Sequence, residues 1–244
     1  LNAGNLLSVI GFNEVDLTGS NSYTAPKPSI HTEEFITFDL KTTESIDSVV
    51  MLWGKGNYKL SSDAEIKIQG NATANFSSPA IEETMTFNNT YEVASFYFDQ
   101  PQNYRYWRIT IYDPANPNGY VNIGTVVLGS KDQIDDPSNG FTFSQTDNSK
   151  ITQTDFGQEY VDEYPISNSV AVDFKVMDYA TVETLMAIFS RNGSKLPVFI
   201  VIDPSSVVFD KDCFAIYGKL QPTLSHTQVS YNIFDSGLTI REIN

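Results

Sequence analysis

The stretch Tyr104 to Gly124, YRYWRITIYDPANPNGYVNIG, constrains the fold more than any other part of the chain. It alternates large apolar with polar residues, breaks at a Pro/Asn/Gly turn, and resumes the alternation. Side chains on a strand point to opposite faces in turn. The alternation therefore puts Arg105, Trp107, Ile109 and Ile111 on one face and Tyr104, Tyr106, Arg108, Thr110 and Tyr112 on the other. The first set reads as a core face. It requires Trp107, Ile109 and Ile111 to be buried and Arg105, at the strand's start, to reach water or an acidic partner. The turn from Asp113 to Gly119 should be exposed.

The same period recurs along the chain. Phe35–Leu40, Ser48–Trp53, Glu65–Gln69, Ala94–Phe98, Tyr106–Ile111 and Tyr120–Leu128 read as strands separated by polar or Gly-rich turns, and so does Val170–Val176 further on. Many short strands at turn-separated spacing indicate sandwiches. At 244 residues the chain suits two domains of roughly 100 to 130 residues each. The polar text GSKDQIDDPSNG, Gly129 to Gly140, is the linker candidate. The expected organisation is an N-terminal arm over 1–34, a sandwich over 35–130, a linker over 131–140 and a second sandwich over 141–244. Segments 1–34 and 70–92 read as irregular and are the candidates for inter-subunit arms.

One segment breaks the β-pattern. Val182, Leu185, Met186 and Phe189 fall at i, i+3, i+4 and i+7, with Asp178 as N-cap and Gly193 just past the end, which predicts an amphipathic helix over 179–191. Pro197–Ile202 is a nearly continuous apolar run ended by Asp203-Pro204, as expected of a central strand covered on both faces. The closing strands are read at 214–220, 229–234 and 238–243. The fold class is all-β, two sandwiches, the second carrying this helix.

A formal charge of −15, with 15 Lys and Arg in no basic cluster, argues against nucleic acid. No run approaches the apolar length of a membrane span, and LNAGNLLSVIGF lacks the basic start and cleavage site of a signal peptide. The expectation is a soluble protein made in the cytosol, with its Asn-X-Ser/Thr matches unglycosylated. Cys213 is the only cysteine and reads as a small buried hydrophobe. His31 and His226 have no partners at metal-ligand spacing, and no phosphate-binding glycine loop precedes a helix. No cofactor or metal is expected. The adjacent acid pairs Glu33-Glu34, Glu82-Glu83, Asp135-Asp136 and Asp162-Glu163 read as solvated surface rather than the acid and base of a glycoside hydrolase. The expectation is that the chain is not an enzyme. Exposed aromatics such as Trp53 and Tyr58 would offer faces on which sugar rings stack.

Two resemblances follow from particular residues. Phe38-Asp39-Leu40, Val49–Leu52, Glu65–Ile68, Phe96–Phe98 and Tyr104–Thr110 resemble the strand order of a galactose-binding-like, discoidin-type jelly roll. The aromatic-rich, calcium-holding loops of its sugar-binding members have no match before Phe35. Over nearly the whole chain, Gly11-Phe12-Asn13, Asp16–Gly19, Ser22–Ala25, Tyr106–Ile109, Asp113–Tyr120, Ile123-Gly124 and Leu128-Gly129 look like tail-tip proteins of long-tailed bacteriophages. Pro197–Phe199, Asp203-Pro204, Tyr217–Leu220 and Glu242-Ile243 are similar to the second half of the same proteins.

That resemblance implies a virion structural protein of the distal tail or baseplate, assembled in the host cytoplasm. It would form a homo-oligomeric ring that joins the tail tube to hub or fibres. Tyr, Trp and Arg suit the lateral contacts of such a ring. The candidate interface residues are Tyr106, Arg108, Asp113, Asn116, Asn118 and Tyr120. The alternative reading is a carbohydrate-binding module that attaches to a host glycan through Trp53 and Tyr58.

Overall fold

The computed structural model describes residues 6–12, 34–53, 59–116, 118, 121–135, 140–202 and 211–243, with β1 (Leu6–Phe12) described by its backbone alone. Strand dominates, antiparallel pairing joins the strands, and the described residues hold one α-helix. The all-β class and the sandwich character expected from the sequence are what the chain adopts. The chain divides into two compact units, Phe12–Lys131 (here the N-proximal unit) and Leu1–Gly11 with Asp132–Asn244 (the C-proximal unit).

Two long strands, β2 (Glu34–Leu52) and β5 (Val93–Tyr112), organise the N-proximal unit around β3 (Glu65–Asn71), β4 (Ile81–Asn88) and the start of β6 (Thr125–Asp135). Each long strand turns a corner. Glu34–Asp39 of β2 pairs with Tyr106–Ile111 of β5, while Ser48–Leu52 pairs with Val93–Tyr97, and the register shifts in between. At the corner Lys41 takes a φ of +68°, and its N–H donates to Asp39 Oδ1 at 2.9 Å. A side-chain acceptor two residues back is what makes such a turn affordable for a residue with a Cβ. β3 pairs with the second half of β5, and β4 pairs with both β3 and the first half of β5. β6 adds to the far side of β2 from Thr125 to Gly129. Inside lie Phe38, Val49, Met51, Ile66, Ile68, Trp107 and Ile109, all buried.

The C-proximal unit is built from β1, β7 (Phe141–Thr146), β10 (Ser167–Met177), β11 (Pro197–Ile202), β12 (Ile216–Leu220), β13 (Ser225–Ser230) and β14 (Ile233–Glu242), with the hairpin β8 (Lys150–Gln153) and β9 (Glu159–Asp162) apart from them. Its strands pair in the order β1-β11-β12-β14-β10-β7, and β13 also joins β14. β11 therefore has a neighbour on each side, and Val198 through Ile202 are buried, as the apolar run demands. Helix α1 (Tyr179–Asn192) starts where expected: the Asp178 carboxylate accepts from the Thr181 N–H at 2.8 Å, and Gly193 closes the other end with a φ of +52°.

Several expectations are corrected. The helix buries Val182 and Leu185 and packs Phe189 on the core as expected, but Ile188 takes the place expected of Met186, which is exposed. The arm expected over 1–34 begins with a strand, because Leu7 to Ile10 find a ladder partner in β11; residues 13–33 lie outside the described residues. Segment 70–92 contains β4, whose alternate residues are polar because one of its faces is solvated. The linker expected over 131–140 is strand as far as Asp135, and Ile134 is buried in the C-proximal core; 136–139 lie outside the described residues. Cys213 is partly exposed, in a short 3-10 turn before β12.

Candidate functional site

The face of β5 opposite the core carries the candidate residues. Trp107 has no exposed surface, and Ile109 and Ile111 are buried beside it, as the alternation assigns, whereas Tyr104, which the alternation sends to the other face, packs edge-on against Trp107. Arg105 meets an acidic partner: its Nε and Nη2 donate to the two carboxylate oxygens of Asp39 at 2.7 and 2.9 Å, and its guanidinium lies 4.8 Å from the centre of the Tyr106 ring. That fork-to-carboxylate geometry is the strong form of an ion pair.

The hydrogen bonds from Arg105 and from the Lys41 N–H hold the Asp39 carboxyl well below the usual carboxylate range. A depressed carboxylate contributes stability that is complete above its unfolded pKa of about 3.9 and is lost as pH falls through the lowered value. Asp39→Asn is therefore expected to lower Tm at pH 7, with the gap to wild type closing as pH drops below about 4. A gap of constant size from pH 7 to pH 2 in thermal melts would contradict this assignment.

Arg108 is held differently. Its guanidinium lies over two rings, 4.5 Å from the centre of Phe35 and 4.3 Å from that of Phe76, and Nε is closed off from solvent with no hydrogen-bond partner among the described residues. A buried N–H left unpaired costs about 1–3 kcal/mol, so the aromatic contacts hold the side chain there against a penalty. The opposing residue on β3 is Gln69, whose Nε2 donates to Glu82 at 2.6 Å while Oε1 is buried and unpaired. Two residues along β5, Thr110 is also buried with its hydroxyl unpaired. Three polar atoms with no partner among the described residues thus cluster on one face, beside a Phe35 that is 58% exposed.

The other candidates separate. Asp113 is only 6% exposed. Its carboxylate accepts from the Ser61 N–H at 3.0 Å, from the Ser61 hydroxyl and from Asn116 Nδ2 at 2.8 Å. Asn116 Oδ1 in turn accepts from the Asn118 N–H at 2.8 Å. Asp113 is therefore the internal anchor of its turn. Tyr120 lies outside the described residues.

Trp53 is likewise not a stacking platform. It is 4% exposed and packs edge-on against Phe87, because its strand turns that face into the core. The crevice it shares with Lys59, Asn116 and Val121 is too narrow to hold a water molecule. Tyr58 lies outside the described residues.

A second feature is the β8–β9 hairpin. Ile151 pairs with Val161 and Lys150 with Asp162, and every residue of both strands is exposed. Its base is fastened by Asn148 Nδ2, which donates to the Pro165 carbonyl at 2.8 Å and to the Ser167 hydroxyl at 3.0 Å. Ile151, Tyr160, Val161, Tyr164 and Ile166 are all largely exposed, and Phe156 at the tip is 96% exposed. The sequence reading missed this arm because strands of four residues leave little period to detect. The Asp155-Phe156-Gly157 turn was its visible signal.

Among the described residues, no group of three His, Cys, Asp or Glu side chains could hold a metal ion, and no helix is long and apolar enough to cross a membrane. His226 is partly buried with both ring nitrogens unpaired, and burial pushes its pKa down. No protein-family model matches the chain, and no curated protein matches it significantly.

Proposed function

We propose that the chain is a structural component of a long-tailed bacteriophage virion, a tail-tip protein that assembles as a homo-oligomeric ring and joins the tail tube to hub or fibres. The observation that carries the reading is the β8–β9 arm. Among the described residues it is a two-stranded ribbon with no third strand, and it holds out Ile151, Phe156, Tyr160 and Val161 to solvent. A lone ribbon of this kind is marginal in water, and clustered exposed apolar side chains mark surfaces that another protein covers. The resemblance of the Tyr106–Ile109 and Asp113–Tyr120 segments to tail-tip proteins supports the same reading, as does the aromatic and arginine content of the outer β5 face.

Native mass spectrometry of the purified chain, together with imaging of assembled particles, tests it. The expected result is a discrete multimer whose subunit number is unchanged on tenfold dilution, located at the tail tip. A strictly monomeric protein absent from particles would overturn the proposal.

A further inference from the structure

Among the described residues the Arg108 guanidinium has no acidic partner, in a chain with 30 acidic against 15 basic side chains. Arg105, Lys175 and Arg191 each have a carboxylate within 3.2 Å, whereas among the described residues Arg108 has two aromatic rings against it and no acid in ion-pair range. The two rings hold the guanidinium in place before any ligand arrives, so binding costs it little further freedom. A planar fork of donors matches a carboxylate. Exposed Phe35 adds an apolar shelf at its side, and the unpaired buried oxygens of Gln69 and Thr110 lie next to it on the same face.

The arm supplies the complementary chemistry. Its tip is a fixed turn: the Gly157 N–H donates to the Thr154 carbonyl at 2.9 Å, the Thr154 N–H donates to the Gln158 carbonyl at 2.8 Å, and Gly157 takes a φ of +79°. This turn presents Asp155 and Phe156 side by side, a carboxylate next to an uncovered ring. The rest of the arm is acidic, with Asp147, Glu159, Asp162 and Glu163 against Lys150.

We infer that Asp155 and Phe156 at the arm tip of one copy dock on the Arg108 clamp of a second copy, the carboxylate on the guanidinium and the ring against Phe35. The inference rests on the ring reading and names a contact within it. Because tip and clamp are different patches, the contact is head-to-tail and closes into a ring when the rotation between copies permits.

Complementation by full-length variants tests it. Arg108→Glu and the double variant Asp155→Lys/Phe156→Ser are each expected to weaken self-association at least tenfold by native mass spectrometry. An equimolar mixture of the two should form a one-to-one dimer, since one retains an intact tip and the other an intact clamp. If both variants assemble as wild type does, the docking falls while the ring reading stands. If wild type is monomeric at every concentration, both fall. Two monomeric variants that fail to pair when mixed, or Arg108-dependent binding to an acidic glycan with assembly unchanged, would also overturn the docking. Should Arg108→Glu disturb the circular dichroism of the fold, Arg108→Lys, which keeps the charge but not the fork, replaces it with the same expectation.

Discussion

Trp107→Ala is expected to lower the unfolding free energy of the N-proximal unit by about 3–5 kcal/mol, the cost of deleting a large buried aromatic from a packed core. Trp107 has no exposed surface and meets Phe98 and Tyr104 edge-to-face, with centroids 5.9 and 6.1 Å apart. Its Nε1 donates to the Tyr104 carbonyl at 3.2 Å. It lies opposite Phe38 on β2 and Gly70 on β3, so its removal opens a void between three strands and strips a carbonyl of its donor. The void cannot be refilled by a simple shift, because Tyr104 already presses against the backbone at Gly70, where an added Cβ would be 3.0 Å from its ring. Trp107→Phe should cost distinctly less. Urea unfolding followed by fluorescence and circular dichroism is the measurement, with a separate transition allowed for each unit. A change under about 1 kcal/mol for the alanine variant would contradict the assigned core.

Gly218→Val is expected to be the most damaging substitution in the C-proximal unit. Gly218 lies in β12 between Val198 of β11 and Glu242 of β14. A Cβ built there would collide with the Arg241 carbonyl oxygen and lie 2.7 Å from its carbon. Those are backbone atoms of the neighbouring strand and cannot swing aside, so β12 and β14 must part. The expected loss is about 3 kcal/mol or more, at the upper end of overpacking costs. Gly237→Ala is the control: its nearest obstacle is the Asp173 side chain at 3.3 Å, which can rotate. Equal thermal stability of the two variants would remove the steric explanation.

What the sequence revealed and what it hid divide along the range of the interactions. The period of Tyr104–Tyr112 assigned Trp107, Ile109 and Ile111 to the core and sent Arg105 to an acid, which proved to be Asp39. The helix was legible from Asp178, Gly193 and its spacing, because caps and period are local. The corner in β2 and β5 was not, since the register shift there depends on which residues meet across the ladder. Burial of Trp53 and Asp113 was hidden for a similar reason: Phe87 and Ser61 cover them from distant parts of the chain. The clamp on Arg108 comes from Phe35 on β2 and from Phe76, neither near it in sequence. Pattern reading could place Arg108 on the outer face of its strand but could not supply the rings.

The pairing of Leu7 with Ile202 imposes an order of events on synthesis. β1 leaves the ribosome well before β11, and the intervening residues include the entire N-proximal unit, which can close its own ladders in the meantime. At about 5–20 residues per second, roughly 200 residues of delay leave the first strand waiting about 10–40 s for its neighbour. The C-proximal unit is thus completed last, when β11 arrives to pair with a strand made long before it.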